Sequence, residues 1–199
     1  QISDSVSVVD LPSMRVVRTV NVGDEPADIV FAGTPARAFV SLSLRSQLVV
    51  FDPTVNAPAL QTVAIPGAQP RALAASPDGA KVYLAIFESG NHSTMAPEAA
   101  LNSPSSPYGG QNPPPNAGNL FSPAIGGGLP AAPRVSQIVR KGADNLWRDG
   151  NNRDWTSFIT WDVHDNDIIV IDAATLGLTP IKGLMNIVAG LGVGPDGTL

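Results

Sequence analysis

Three stretches end alike: Ser5–Asp10 reads SVSVVD, Gln47–Asp52 reads QLVVFD, and Asp167–Asp172 reads DIIVID. The first two closing aspartates are 42 positions apart. After each Asp a turn residue set intervenes, and a second β-rich run follows, RVVRTVNVG from Arg15 and ALQTVAIPG from Ala59. Downstream, PADIVFAGTPARAFVSL from Pro26 aligns without gaps to PRALAASPDGAKVYLAI from Pro70, an offset of 44. A period of 42 to 44 residues is the mark of a repeat architecture, and it constrains the fold more than any single motif.

Each unit offers four short β-prone runs separated by turn residues, which is the pattern of a four-stranded antiparallel meander. The turns have a physical basis. The carboxylates of Asp10, Asp52 and Asp172 are placed to accept a backbone N–H two residues on. In Pro77-Asp78-Gly79, and again in Pro195-Asp196-Gly197, the proline ring fixes φ and the glycine supplies the left-handed conformation that closes a hairpin. VVFD and IIVID are apolar almost without alternation, so these strands are expected to be covered on both faces.

At these residues the chain resembles the YVTN-type (YncE-like) β-propeller repeats. Asp172-Ala-Ala-Thr175, Val22-Gly23, Ser76-Pro-Asp-Gly79 and Val82-Tyr83-Leu84 fit that repeat closely, whereas Gly33-Thr34-Pro35 and Ser41-Leu42 depart from it. The resemblance covers residues 4–87 and 166–199 and implies an all-β fold of stacked blades. The expected organisation is a half blade, a full blade and the start of the next over 1–87, an insertion over 88–165, and the continuation of that blade over 166–199. Within this scheme a further inner strand begins near Asn186. About three blades do not close a ring, since propellers use roughly four to eight. The expectation is an incomplete propeller, part of a longer polypeptide.

The interval from Asp52 to Asp172 is 120 residues instead of 42, which defines the insertion. Its first part, 88–133, holds Pro113-Pro114-Pro115 and Gly126-Gly127-Gly128 and no Lys or Arg, and reads as an extended or irregular loop. From Arg134 the runs RVSQIV, NLWRD and DWTSFITWDV, separated by Lys141–Asp144 and Asp149–Asn152, predict a small β-meander over 134–165. All three tryptophans, Trp147, Trp155 and Trp161, and both histidines, His92 and His164, lie in the insertion. Concentrated there, the tryptophans are candidate partner-binding residues, with a local core as the competing role.

Composition narrows the function. The 199 residues carry 12 Lys and Arg against 17 Asp and Glu, a net charge of −5, which argues against a nucleic-acid partner. There is no cysteine, so thiolate metal sites, disulfides and haem attachment through Cys are excluded within this sequence. No apolar run is long enough for a membrane helix. Asp162, Asp165 and Asp167 are candidate calcium ligands, though their spacing is not that of an EF-hand. His164 stands without a second ligand or a nucleophile at recognisable spacing, and Asn91-His92-Ser93 is a formal glycosylation triplet. The innermost runs DIVFA and ALAAS offer only Asp28 and Arg71 near their starts. No cofactor and no catalytic residue is assigned. The expected function is a non-catalytic interaction scaffold in a larger secreted or cell-envelope protein, periplasmic or extracellular, with a protein partner or the remaining blades of the same polypeptide as its contacts. The alternative is the propeller part of a periplasmic oxidoreductase or a lactonase-like hydrolase.

Overall fold

The computed structural model describes residues 3–115, 133–161, 163, 165–184 and 187–199. The fold is all-β, built of antiparallel sheets, and the chain divides into two compact units, 1–91 with 164–199, and 92–163.

In the larger unit, β1 (Ser5–Asp10) and β2 (Arg15–Asn21) form a two-stranded ribbon. β3 (Pro26–Ala32), β4 (Arg37–Leu42), β5 (Gln47–Phe51) and β6 (Gln61–Ala64) pair in sequence order as a four-stranded meander. β7 (Ala68–Ala75) and β8 (Lys81–Glu88) begin a second sheet. It is completed after the smaller unit by β12 (Ile168–Asp172) and β13 (Leu178–Ile181), in the order β7, β8, β12, β13. Each sheet is open, with two edge strands.

The unbroken apolar runs follow from packing on both faces. Phe39, Leu48 and Val50 of the first four-stranded sheet join Leu73, Leu84, Ile86, Ile169 and Ile171 of the second in one buried cluster. The intervening Ala38, Val40, Leu42, Val49 and Phe51 turn the other way, onto Val20 and Val22. Successive side chains of a strand point to opposite faces, so a strand packed between two neighbours has no polar positions to alternate. Backbone bonds add to the packing: Gly33 N–H donates to the Gly79 carbonyl at 2.8 Å, joining the hairpin turns of the two sheets. Both glycines have positive φ, 88° and 67°, which a side chain at these turns would oppose.

Asp52 and Asp172 accept a backbone N–H two residues on, as expected, whereas Asp10 accepts its backbone N–H from three residues on. Asp10 accepts from Ser13 N–H and Oγ–H, Asp52 from Thr54 N–H and Oγ1–H, and Asp172 from the N–H groups of Ala174 and Thr175 and from Thr175 Oγ1–H.

In the smaller unit, β9 (Ser93–Ala96) is followed by a single helical turn, α1 (Glu98–Leu101). β10 (Gln137–Lys141) and β11 (Trp147–Arg148) complete a three-stranded sheet ordered β11, β10, β9. Three local expectations differ from this. Residues 88–133 are not wholly irregular, because Ser93–Ala96 finds a partner in Gln137–Arg140 far along the chain; the Pro/Gly-rich stretch 116–132 lies outside the described residues. The run from Asp154 does not continue as a strand beyond the Arg148–Asp154 bridge. Asp154 Oδ1 accepts Thr156 N–H, and 156–158 form a 3₁₀ helix. The further inner strand from about Asn186 is not formed over 187–194: a strand needs a ladder partner, and among the described residues this segment pairs with no other strand.

Candidate functional site

The heads of β3 and β7 share an irregularity. Glu25, directly before the Pro26 that opens β3, and Gln69, directly before Pro70 near the start of β7, have φ of 55° and 52°. Pairing then slips at the same place in both hairpins, between Pro26 and Asp28 and between Pro70 and Leu73. Proline cannot donate to a ladder, so it opens an edge strand, and the bulge that follows redirects the next side chains. The residue redirected in β3 is Asp28. Its Oδ1 accepts Ile29 N–H at 2.8 Å, and its Oδ2 reaches across to Leu73 N–H of β7, also at 2.8 Å. Ser41, with no exposed surface, lies beside it; its Oγ donates to the Arg71 carbonyl at 2.5 Å and accepts Asp28 N–H at 3.1 Å. Asp28 and Ser41 together clamp the two sheets.

Above the clamp is a cavity of about 310 Å³ lined by Glu25, Asp28, Ser43, Arg71 and Ala189 among others. The Arg71 guanidinium stacks on the Phe87 ring, 4.1 Å from its centroid, and donates to Gln69 Oε1 at 2.8 Å. Its Nε is buried without a hydrogen-bond partner among the described residues. The two polar groups expected on the inner runs, Asp28 and Arg71, are therefore brought to one place, where each oxygen of the Asp28 carboxylate accepts a backbone N–H. Glu25 and Ser43 were not anticipated; the signal for Glu25 is the shared frame of Gly23-Asp24-Glu25-Pro26 and Gly67-Ala68-Gln69-Pro70. A second cavity of about 310 Å³ is bounded by the two Pro-Asp-Gly turns, with Lys81 and Tyr83 in its wall. Ser76 Oγ–H and Ala80 N–H hold Asp78 below the usual carboxylate range, and Thr198 N–H and Oγ1–H do the same for Asp196.

Of the candidate calcium ligands, Asp162 lies outside the described residues. Asp167 has no exposed surface; it accepts Ser89 Oγ–H on one oxygen and Leu184 N–H at 3.0 Å on the other, an arrangement that satisfies a buried carboxylate with neutral donors. Asp165 is half-buried and interacts with other residues of the chain. Among the described residues no three His, Asp or Glu side chains gather as a metal centre would require. His164 also lies outside the described residues.

The tryptophans separate. Trp147 and Trp155 are 3% and 0% exposed, in a core with Ala96, Leu101, Val139 and Ile159. The Trp155 indole N–H donates to Asp149 Oδ2 at 3.0 Å, and its ring meets those of Tyr108 and Phe158 at 6.1 and 5.7 Å. Asp149 also accepts from Tyr108 Oη–H and from the N–H groups of Asn151 and Arg153, so one buried carboxylate organises the unit. Burial, together with that hydrogen bond to Asp149, raises the Tyr108 phenol above its ordinary value. Trp161 is 40% exposed, its indole N–H on Thr94 Oγ1 at 3.1 Å.

No known family profile matches the chain, and no curated protein is similar to it. A solved structure described as that of a functionally unknown protein from Desulfotomaculum acetoxidans DSM 771 aligns over 98% of this chain and 68% of its own, with 10% identity and a TM-score of 0.39. A likeness that distant carries no argument about this chain.

Proposed function

We propose that the sheets of the larger unit are consecutive blades of a YVTN-type propeller, and that the protein is a non-catalytic interaction scaffold in the periplasm or outside the cell. The unit 92–163 is its distinguishing contact element. One observation carries this reading: two meanders of the same strand order, with the same left-handed residue and the same bulge after it, pack face to face through a shared apolar core. The ribbon β1–β2 stands where the third and fourth strands of the repeat stand, and its Val9, Leu11, Met14, Val16 and Val17 are exposed. Two strands are marginal in water by themselves. Under this reading, a hairpin like β3–β4, from another part of the polypeptide, completes that blade at the free edge of β1. The cavity at the heads of β3 and β7 offers an acid already bonded to backbone and an arginine stacked on a ring, which suits holding a surface or small polar group better than proton transfer.

The experiment replaces 92–163 with a short Gly/Ser linker and compares chemical cross-linking in extracts of the source cells. The larger unit is expected to keep its far-UV circular dichroism while the partners captured by the full chain are lost. Undiminished capture, or turnover of lactone substrates by the full chain, contradicts the reading.

A further inference from the structure

The sheet of the smaller unit has two unlike faces. Ala96, Val139 and Trp147 turn into the core. By strand alternation Met95, Ile138, Arg140 and Arg148 turn away from it. Met95 and Ile138 are directly opposed across β9 and β10 and are 60% and 65% exposed. One step further along the same face, Arg140 and Arg148 are directly opposed across β10 and β11. Like charges in that position repel, at a Cβ separation of roughly 5 Å. Arg148 is neutralised by a two-pronged pair with Asp144, at 2.8 and 2.9 Å. Arg140 is exposed and, among the described residues, has no carboxylate or carbonyl on its guanidinium.

We propose that this face, Met95, Ile138 and Arg140, is a docking surface for an extended acidic polypeptide segment bearing apolar side chains. The inference rests on the reading of 92–163 as a contact element and names its surface. Ile138 and Arg140 are two residues apart on one strand, roughly 7 Å along the face. An extended peptide has the same spacing between residues i and i+2, so an apolar side chain and a carboxylate two positions apart match them in register. The carboxylate gives Arg140 the partner it lacks and relieves its repulsion from Arg148, while the flexible thioether of Met95 adapts to the apolar group. An anionic lipid surface fits less well. Recruitment to such a surface takes a cluster of four or more basic residues, whereas this face offers two, one already paired with Asp144, in a chain of net charge −5.

The test uses the full chain and a fluorescein-labelled peptide of repeated Leu-Ser-Glu-Ser, with Leu-Ser-Lys-Ser as its counterpart and phosphatidylcholine–phosphatidylserine vesicles as the competing surface. The Glu peptide is expected to bind and the Lys peptide not, with affinity falling as salt is raised. Arg140→Glu is expected to weaken binding roughly tenfold or more, as loss of a charge-assisted bond does, and Ile138→Ser to weaken it several-fold. Arg45→Glu, at an exposed cation of the larger unit, is expected to leave it unchanged. No binding of the Glu peptide, equal binding of the Lys peptide, indifference to both Arg140→Glu and Ile138→Ser, or vesicle binding tighter than peptide binding overturns the proposal. If binding disappears when 92–163 is replaced by the linker yet ignores those two substitutions, this face is wrong while the contact element stands. Binding that survives the replacement sinks both.

Discussion

Replacing Ser41 with alanine removes one hydroxyl from the junction of two sheets and alters nothing else of comparable size. The hydroxyl has no exposed surface and serves as donor to the Arg71 carbonyl of β7 and as acceptor for Asp28 N–H of β3. Its loss strands one acceptor and one donor. Unsatisfied groups of this kind cost about 1–3 kcal/mol each in full burial. The cavity above Asp28 and Arg71 lets water reach part of the site, which brings the expected total to about 2 kcal/mol. For a chain of this length that is a fall in Tm of about 4–8 °C, or about 1 M in the urea midpoint. All three tryptophans lie in the smaller unit, so far-UV circular dichroism follows mainly the larger unit while tryptophan fluorescence follows only the smaller. The shift is expected in the circular dichroism transition. Thr62→Ala, on an exposed position of β6, should stay within about 0.5 kcal/mol of the parent. Because Asp28 and Ser41 hold the same junction, the double variant with Asp28→Ala should cost at least about 0.5 kcal/mol less than the two single costs added together. A circular dichroism midpoint unmoved by Ser41→Ala, or strict additivity with Asp28→Ala, refutes the clamp.

Further outcomes follow from the same contacts. A Cβ on Gly67 would meet the buried Ile86 side chain at 2.8–2.9 Å, so Gly67→Ala should destabilise the larger unit by about 1–3 kcal/mol in urea melts. Asp10, Asp52 and Asp172 titrate below the ordinary 3.8, lowered for Asp10 and Asp52 by the side-chain hydroxyls of Ser13 and Thr54 and for Asp172 by Thr175 N–H. Carboxylates lowered by folding stabilise fully above their unfolded value, and that contribution is lost as pH falls through the folded one. The urea midpoint should therefore drop below about pH 4, and drop less steeply when all three are asparagine. Trp155→Ala empties the centre of the smaller unit and strands the indole's share of Asp149, costing about 3–5 kcal/mol. Hydrogen exchange should rise in peptides from 92–163 and stay slow in those from β4 and β8.

The sequence made the larger unit readable because its signals are local and repeated. Asp52 and Thr54 form their turn within three residues, and Pro77-Asp78-Gly79 closes a hairpin whose strands lie on either side of it. The apolar run of β5 told correctly that both its faces are covered. The smaller unit was harder to read. Ser93–Ala96 is a strand only because Gln137–Arg140 lies against it, and four residues without alternation give no period to detect. Asp154 reads equally as a strand flank or as a turn former, and in the structure it accepts Thr156 N–H at the start of the 156–158 turn. The tryptophans were visible as a cluster, but which of them point inward depends on contacts distant in sequence: Trp155 is held by Asp149, whose carboxylate also gathers Tyr108, Asn151 and Arg153, while Trp161 bonds Thr94. Glu25 and Gln69 were overlooked because the left-handed conformation before proline is not carried by a residue type, only by the frame the two segments share.

The central claim is that the two four-stranded sheets fan outward from a common axis instead of lying as parallel layers. The chain has no cysteine, so spin labels can be placed in pairs, Ala27 with Ala72 on the edge strands β3 and β7, and Thr62 with Thr179 on β6 and β13. Distances from double electron–electron resonance should be longer for the outer pair by roughly 10 Å, as expected for strands about 4.8 Å apart in blades spread around a ring. Equal separations in the two pairs would mean a sandwich of aligned sheets, and the propeller reading would be wrong.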